Sequence, residues 1–534
     1  MLRGLLKRSV DEVFSAAALV ASGAVTIAPP QRYLRTLRGL AAYGPLGMLV
    51  SAGAQLHGHK AAIIDERGST TFAELEERSN ALANAWLAAG LPAGASVGIL
   101  CRNHGRLFES LVAGAKVGAR TVLLNTGFAG PQLRDVCIRE DLALLIHDEE
   151  FAAEVGDYRP PLGRLLAWTD DGEGRSVDEL IAGAEPVPPP KPAIRQRLVL
   201  LTSGTTGIPK GAPRELRMSL VPPGGFLSKI PLRGGRSAFV AAPAFHSWGL
   251  LSAAMALAVG TTVIVQRRFD PAATLDAVAE HRCDMLALVP VMLARILDLG
   301  EDELWLRDTS SLRIIAVAGS PLTPDVAVRA RAAFGNVLYN LYGSTEVSFA
   351  TVATPDDLRK APGCVGCPPL GVTVKVLGDD GTPLPPGDVG RVFVGSGFQF
   401  TGYTGGGGKR TVGGLMDSGD IGHVDRHGRL FVDGRADDMI VSGGENVFPA
   451  EVEELLAGHD GVSEAAVVGV PDPELGQRLR AYVVRAPGAS SLDEDAVREL
   501  VKANLARYKV PRDVIFVDAL PRTLIGKPRK RDLP

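Results

Sequence analysis

The residues best equipped for chemistry lie in VLLTSGTTGIPKG, residues 199–211, where an apolar run breaks into hydroxyl and glycine residues and ends on a lysine. Gly204, Gly207 and Gly211 let the backbone approach a ligand closely, so that successive amide N–H groups can point at polyphosphate oxygens. Thr202, Ser203, Thr205 and Thr206 add hydroxyl donors, and Lys210 adds a mobile positive charge. The Walker-type loop G-x-x-x-x-G-K-[ST] does not fit. Counting from Gly204, its second glycine position holds Pro209, and Gly211 follows the lysine where Ser or Thr belongs. A Ser/Thr/Gly-rich surface loop is the competing reading; the strand leading in and Pro-Lys-Gly leading out weigh against it.

TSGTTGIPKG resembles the phosphate loop of the adenylate-forming superfamily, which includes acyl-CoA synthetases, peptide-synthetase adenylation domains and luciferases. Four further stretches follow in that family's order: YGSTE at 342–346, SGDIGHVDRHGRLFVDGRADD at 418–438, SGGENVFPAEVE at 442–453 and PRTLIGK at 521–527. The resemblance implies that the loop from Thr202 to Lys210 holds the β- and γ-phosphates of ATP. It implies that Asn340, Tyr342, Gly343 and Thr345 belong to the ATP site, and that Glu346 holds Mg²⁺ through its carboxylate, an oxygen ligand suited to a hard cation. Tyr342 offers a ring for adenine to stack on, and Asn340 offers a donor and an acceptor to the base edge. Asp420 can accept hydrogen bonds from both ribose hydroxyls; its motif usually reads TGD, and Ser418 here keeps the hydroxyl. Arg435 is the implied second ribose or phosphate contact and Asp437 the implied hinge. Lys527 resembles the family's catalytic lysine, a preorganised donor worth on the order of 10² to 10³ in rate. His246, in PAFHSWG, matches a position that walls the acyl pocket and steers the carboxylate, as a substrate-binding residue and not as a general base. Ser442, Gly443 and Gly444 would line a tunnel for the pantetheine arm of CoA.

Composition bounds the partners. With 57 basic and 60 acidic residues in 534, the chain has no global field to recruit nucleic acid. Five cysteines make no disulfide framework, which points to a reducing compartment. Cys364 and Cys367 form a C-x-x-C in GCVGCP, but there is no second pair for zinc and no strand-to-helix setting for a redox motif, so a Gly/Pro-rich loop is expected.

The element pattern supplies the frame. Thr71 and Glu74 form a capping-box pattern that opens a helix near Phe72. Short β-rich runs at 96–100, 120–124, 142–148, 238–243, 262–265, 284–289, 314–319 and 337–343 alternate with helical segments, which predicts an α/β protein built on two stacked, mostly parallel sheets. After residue 370 short strands and turns predict a small barrel-like part, and beyond Arg435 a mobile α+β unit follows. The expected divisions are an amphipathic extension over 1–52, a large domain over 53–434 with the barrel-like part at about 370–434, a hinge at 435–437, and a small domain over 438–534. In the first segment Leu2, Leu5, Leu6, Val10, Val13, Phe14 and Ala17 share a helical face. Residues 13–28 are uncharged but shorter than the roughly 20 residues that span a bilayer. Up to residue 40 there are six basic and two acidic residues, suited to an anionic membrane surface or to packing on the body of the protein.

The expectation from all this is an AMP-forming acyl-CoA synthetase of the cytoplasm, with peripheral membrane contact through residues 1–50. ATP, Mg²⁺ and CoA are the implied cofactors and co-substrates, and a medium- or long-chain fatty acid is the expected acid. An acyl-AMP ligase that loads a carrier protein is the first alternative, and a non-catalytic lipid-handling protein the second.

Overall fold

The computed structural model describes the chain except residues 1, 26–27, 171–173, 203–209, 215–218, 379, 398, 405, 437–438, 522–529, 531–532 and 534, and except the side chains of 2–8, 202, 434–435, 446, 450 and 454. The predicted capping box is present: the Glu74 amide donates to Thr71 Oγ1 at 3.2 Å and the Thr71 amide to Glu74 Oε2 at 2.7 Å. It opens the helix Phe72–Ala88, which buries Phe72, Leu75, Leu82 and Trp86. Two donors at the helix start are thereby satisfied while the apolar stripe turns inward.

Two large sheets dominate. In the six-stranded sheet the strands run Arg164–Trp168, Leu142–Asp148, Ser96–Leu100, Arg120–Leu123, Arg197–Thr202 and Lys210–Arg214, all parallel until the last, which returns antiparallel. The eight-stranded sheet is parallel through its middle, with the antiparallel strands Gly68–Thr71 and Ser348–Ala353 at its edges. Alternation along the strands sorts side chains into layers. Ile314 and Ala316 join the core shared with Val97, Ile99 and Leu198 of the other sheet, whereas Ile315 and Val317 point to a second cluster on the far face. Strands covered on both faces read as unbroken apolar runs, which is why they were visible in the sequence.

The part expected to be barrel-like is a five-stranded antiparallel sheet of Thr373–Leu377, Gly390–Gly395, Thr411–Val412, Leu415–Val424 and Leu430–Arg435. Its core takes in Ala212 from the phosphate strand, so this sheet is packed against the loop's exit. The small domain carries a third pattern: a short hairpin, the helix Pro449–Ala457, the long strands Val462–Asp472 and Gly476–Arg485, the helix Glu494–Asn504, and Asp513–Phe516 paired parallel to Gly476–Arg485.

The first two helices, Leu2–Ser22 and Pro30–His57, pack on the large domain. Pro30–His57 inserts Leu46 and Val50 into the main core. Leu2–Ser22 lies on the helix Val221–Lys229 by its small polar side: a Cβ at Gly224 would stand 2.3 Å from the Ser15 Cβ, and Glu12 accepts from the Ser219 hydroxyl at 2.7 Å and the Leu220 amide at 3.0 Å. The described part of its apolar stripe consequently faces solvent, with Val13 68% and Phe14 61% exposed. No helix among the described residues is long and apolar enough to cross a membrane.

Candidate active site

The strand Arg197–Thr202 delivers the chain to the phosphate loop and Lys210–Arg214 takes it away, in a register that sets Thr202 opposite Lys210. Ser203, Gly204, Thr205, Thr206 and Gly207 lie outside the described residues, as does the side chain of Thr202. The exit strand is clamped by the antiparallel sheet's 400–404 segment. The Thr404 amide donates to the Gly211 carbonyl at 2.8 Å, and the Gly211 amide donates to Thr404 Oγ1 at 2.9 Å. The same segment presents Tyr403, whose ring lies 5.9 Å from Lys210 Nζ and whose hydroxyl donates to Glu346 Oε1 at 2.7 Å. Ser344 Oγ donates to the other Glu346 oxygen at 3.0 Å, and the Phe400 amide holds the Glu346 carbonyl at 2.9 Å. Glu346 is thus a half-buried carboxylate held by two hydroxyls beside Lys210, a donor set of hard oxygens that fits Mg²⁺.

The strand Leu338–Ser344 brings Asn340, Tyr342 and Gly343 to the same region, and Thr345 follows in the turn before Glu346. Asn340 is buried, and the Tyr342 hydroxyl donates to Asp420 Oδ2. Asp420 is itself buried in Leu415–Val424, and its amide donates to Ser418 Oγ at 3.1 Å while that hydroxyl donates to the Val392 carbonyl at 2.9 Å. The hydroxyl that Ser418 retains is therefore spent on fixing the strand that carries Asp420. Arg435 stands opposite Asp420 in the strand register, though its side chain lies outside the described residues. Asp437 and Lys527 also lie outside them.

The small domain reaches this region through the hairpin Ile440–Ser442/Glu445–Val447. Gly443 and Gly444 form its two-residue turn with φ of 59° and 89°, a pair of left-handed conformations that glycine adopts without a Cβ penalty. Ser442 is buried behind the turn, and a Cβ on Gly444 would lie 3.6 Å from Val289 of the large domain. The next residue, Glu445, accepts from His246: Nε2 and Oε1 are 2.8 Å apart across the domain boundary. Burial disfavours the charged imidazole, but the Glu445 carboxylate and its hydrogen bond outweigh that and hold the His246 pKa above its ordinary value. His246 precedes the helix Ser247–Ala258, and the Phe245 ring packs against it at 4.5 Å. The two domains also meet where Arg295 pairs with Glu474 at 2.6 Å and where the Arg507 amide donates to the Gly127 carbonyl at 3.3 Å.

Three of these residues escaped the sequence reading. Tyr403 and Thr404 sit in a glycine-rich loop with no pattern of their own. Glu445 lay inside the SGGEN string, and a carboxylate after a Gly-Gly turn was its available signal. Away from this region, Cys101, His104 and Asp148 are buried with ligand-type atoms at metal-like spacing among the described residues, and there His104 Nε2 and Asp148 Oδ1 are 2.8 Å apart, within hydrogen-bond distance.

Lys210, Glu346, Tyr342 and Asp420 thus stand in one region, with the Gly443–Gly444 turn of the second domain beside Val289, an arrangement compatible with an adenylate-forming enzyme. Residues 50–404 match the family model described as AMP-binding enzyme and residues 451–527 that described as AMP-binding enzyme C-terminal domain; the chain belongs to this family, in its acyl-CoA synthetase branch. It is 33% identical over 491 residues to indoleacetate–CoA ligase of Aromatoleum aromaticum, covering 90% of this chain and 96% of that protein. It is 36% identical over 484 residues to feruloyl-CoA synthase of an Amycolatopsis species, covering 89% and 95%. At 33% over 488 residues it also resembles the fatty acid–[acyl-carrier-protein] ligase ScoC of Streptomyces coeruleorubidus, covering 88% and 92%. Among solved structures, the amide bond synthetase McbA of Marinactinospora thermotolerans superposes with a TM-score of 0.82 at 31% identity, covering 91% of this chain and 98% of that one. The o-succinylbenzoate CoA synthetase of Bacillus subtilis, at 27% and 26% identity, covers 91% of this chain in both of two states, with 98% and 97% of its own chain matched. A double mutant bound to a CoA product analogue gives a TM-score of 0.79, and the complex with its acyl-adenylate intermediate gives 0.65. As a whole, this chain superposes better on the former. The chain is an ATP-dependent, AMP-forming acid–CoA ligase that uses Mg²⁺ and takes CoA as co-substrate.

Proposed function

We propose that this enzyme activates a hydrophobic monocarboxylic acid, with arylalkanoic and arylacrylic acids ahead of fatty acids, and passes the acyl group to CoA by exchanging one domain arrangement for another. The contact between His246 and Glu445 carries the reading. It brings the SGGEN turn from the small domain against the residue expected to wall the acyl pocket, where an incoming thiol would have to arrive. In this scheme Thr202 to Lys210 hold the phosphates, Asn340 and Tyr342 the adenine, and Asp420 and Arg435 the ribose. Glu346 would hold Mg²⁺, which supplies charge neutralisation for the phosphates when bound. Lys527 serves adenylation in the other arrangement, reached by rotation about Asp437, because a lysine that stabilises developing charge at the α-phosphate is no help once that bond is broken.

The acid class rests on the relatives named for indoleacetate and ferulate. The preference for a medium- or long-chain fatty acid expected from the amino-terminal helices loses its footing if those helices serve location and not the pocket. Incubation with ATP, Mg²⁺, CoA and a panel running from arylacetic and cinnamic acids to C8–C16 fatty acids, followed through AMP and thioester, tests both the class and the acceptor. Equal AMP and thioester, with the best turnover on an aromatic acid, is expected. A best turnover on a fatty acid would restore that substrate, and acyl transfer to a carrier protein in preference to CoA would replace the acceptor.

We also propose peripheral contact with an anionic membrane through the first two helices. Val13, Phe14, Val20, Leu34 and Leu37 are exposed, and Arg32, Arg35 and Arg38 stand exposed among the last two. An apolar stripe left in water beside basic side chains suits a surface that accepts both.

A further inference from the structure

Arg214, the last residue of the strand Lys210–Arg214, is 93% buried, and its Nε and Nη2 have no hydrogen-bond partner among the described residues. A guanidinium carries five N–H donors in a fixed fork and stays charged at any physiological pH. Leaving such a group buried and unpaired costs several kcal/mol, which is why buried charges are normally matched. Arg214 falls on the same face of its strand as Lys210 and Ala212, and Ala212 packs into the core that holds Val347, next to Glu346. The Glu346 carboxylate is a negative charge near enough to favour the charged guanidinium, but its hydrogen bonds among the described residues come from Ser344 and Tyr403 and not from Arg214. Burial pulls the Arg214 pKa down to about 10, against the smaller opposing effect of Glu346. The surroundings thus supply Arg214 with a nearby negative charge but leave fork donors without an acceptor.

We propose that Arg214 is an anion-binding residue for the triphosphate end of ATP, holding the β- and γ-phosphates and then the pyrophosphate they become. The inference rests on the ligase reading above and adds to it a contact beyond the loop itself. A planar fork suits phosphate oxygens better than a lysine's point charge, and a site that combines Lys210 with Arg214 holds a group of high negative charge from two directions. Because pyrophosphate takes part in adenylation and not in thioester formation, the two half-reactions separate the contribution of Arg214 from any general role in the fold.

The test uses the full chain and the pyrophosphate exchange reaction, in which labelled pyrophosphate enters ATP in the presence of acid. Exchange by the unaltered enzyme establishes adenylation first; if it fails, that reading falls and the proposal for Arg214 falls with it. Given exchange, Arg214→Gln should raise KM for pyrophosphate and for ATP by roughly ten- to a hundredfold, the range for one lost hydrogen bond to a charged group. Arg214→Lys should recover part of the loss. Thioester formation from supplied acyl-AMP and CoA should survive in both variants. Arg214→Met, which removes the charge but keeps much of the volume, should melt no lower than the parent without ATP and should lose most of the stabilisation that ATP gives the parent. Three outcomes overturn the inference: unaltered pyrophosphate and ATP kinetics, a rise confined to KM for the acid, which would assign the anion to the substrate, or parallel loss of both half-reactions with a lowered melting temperature in every variant.

Discussion

His246 and Glu445 are 199 residues apart in sequence and 2.8 Å apart in space, with their side chains 34% and 21% exposed. A pair of that kind has a consequence that a buried packing histidine lacks. Its folded pKa is raised by Glu445, so its stabilisation of the domain contact is fully present below the ordinary histidine value of about 6.5 and is lost as pH rises through the raised value. Glu445→Gln removes the attracting charge and leaves the burial, so the His246 pKa should fall, to its ordinary value or lower. Titration of the His246 ring by NMR checks this, and an unchanged midpoint would mean that the pair does not form in solution. The sequence made His246 visible through its motif, but nothing local told which group it would meet. That information lies in the placement of one domain on another. Ser418 is the reverse case: its replacement of the usual threonine was readable as harmless, and the two hydrogen bonds of its hydroxyl give the reason.

At the scale of elements, the strands and helices that position the site were legible wherever a periodicity met a boundary signal. The capping box at Thr71 and Glu74 and the apolar runs of both sheets are examples, because burial on two faces writes itself into consecutive residues. The helix Leu2–Ser22 shows the limit. Its pattern told which side chains share a face, but not which face turns inward, since the body decides that: Gly224 leaves room for Ser15, and the Ser219 hydroxyl donates to Glu12. With the apolar stripe outward, binding to vesicles of anionic lipid should be measurable by co-sedimentation at low salt and should weaken as salt screens the arginines. Leu34→Glu with Leu37→Glu should abolish it while leaving turnover of a short acid intact. Deleting residues 1–50 would be a poor probe, because Leu46 and Val50 belong to the main core. Equal sedimentation of the parent and the double variant would remove the membrane proposal.

At the scale of the molecule, the two proposed half-reactions need two arrangements of the same domains. The motif order made the class of enzyme and the existence of a small domain readable, while the arrangement itself was not, since no residue pattern distinguishes a turn presented at the site from one held away. The Gly443–Gly444 turn against Val289, the Arg295–Glu474 pair and the His246–Glu445 contact all belong to one arrangement. The role given to Lys527 belongs to the other, and it supplies the most direct measurement: the two half-reactions of Lys527→Ala, followed separately. Acyl-AMP formation should fall by about 10² to 10³, the loss expected for one preorganised donor, while thioester formation from supplied acyl-AMP and CoA should fall far less. Equal losses in the two half-reactions would contradict the exchange of arrangements and require a single closed state to perform both.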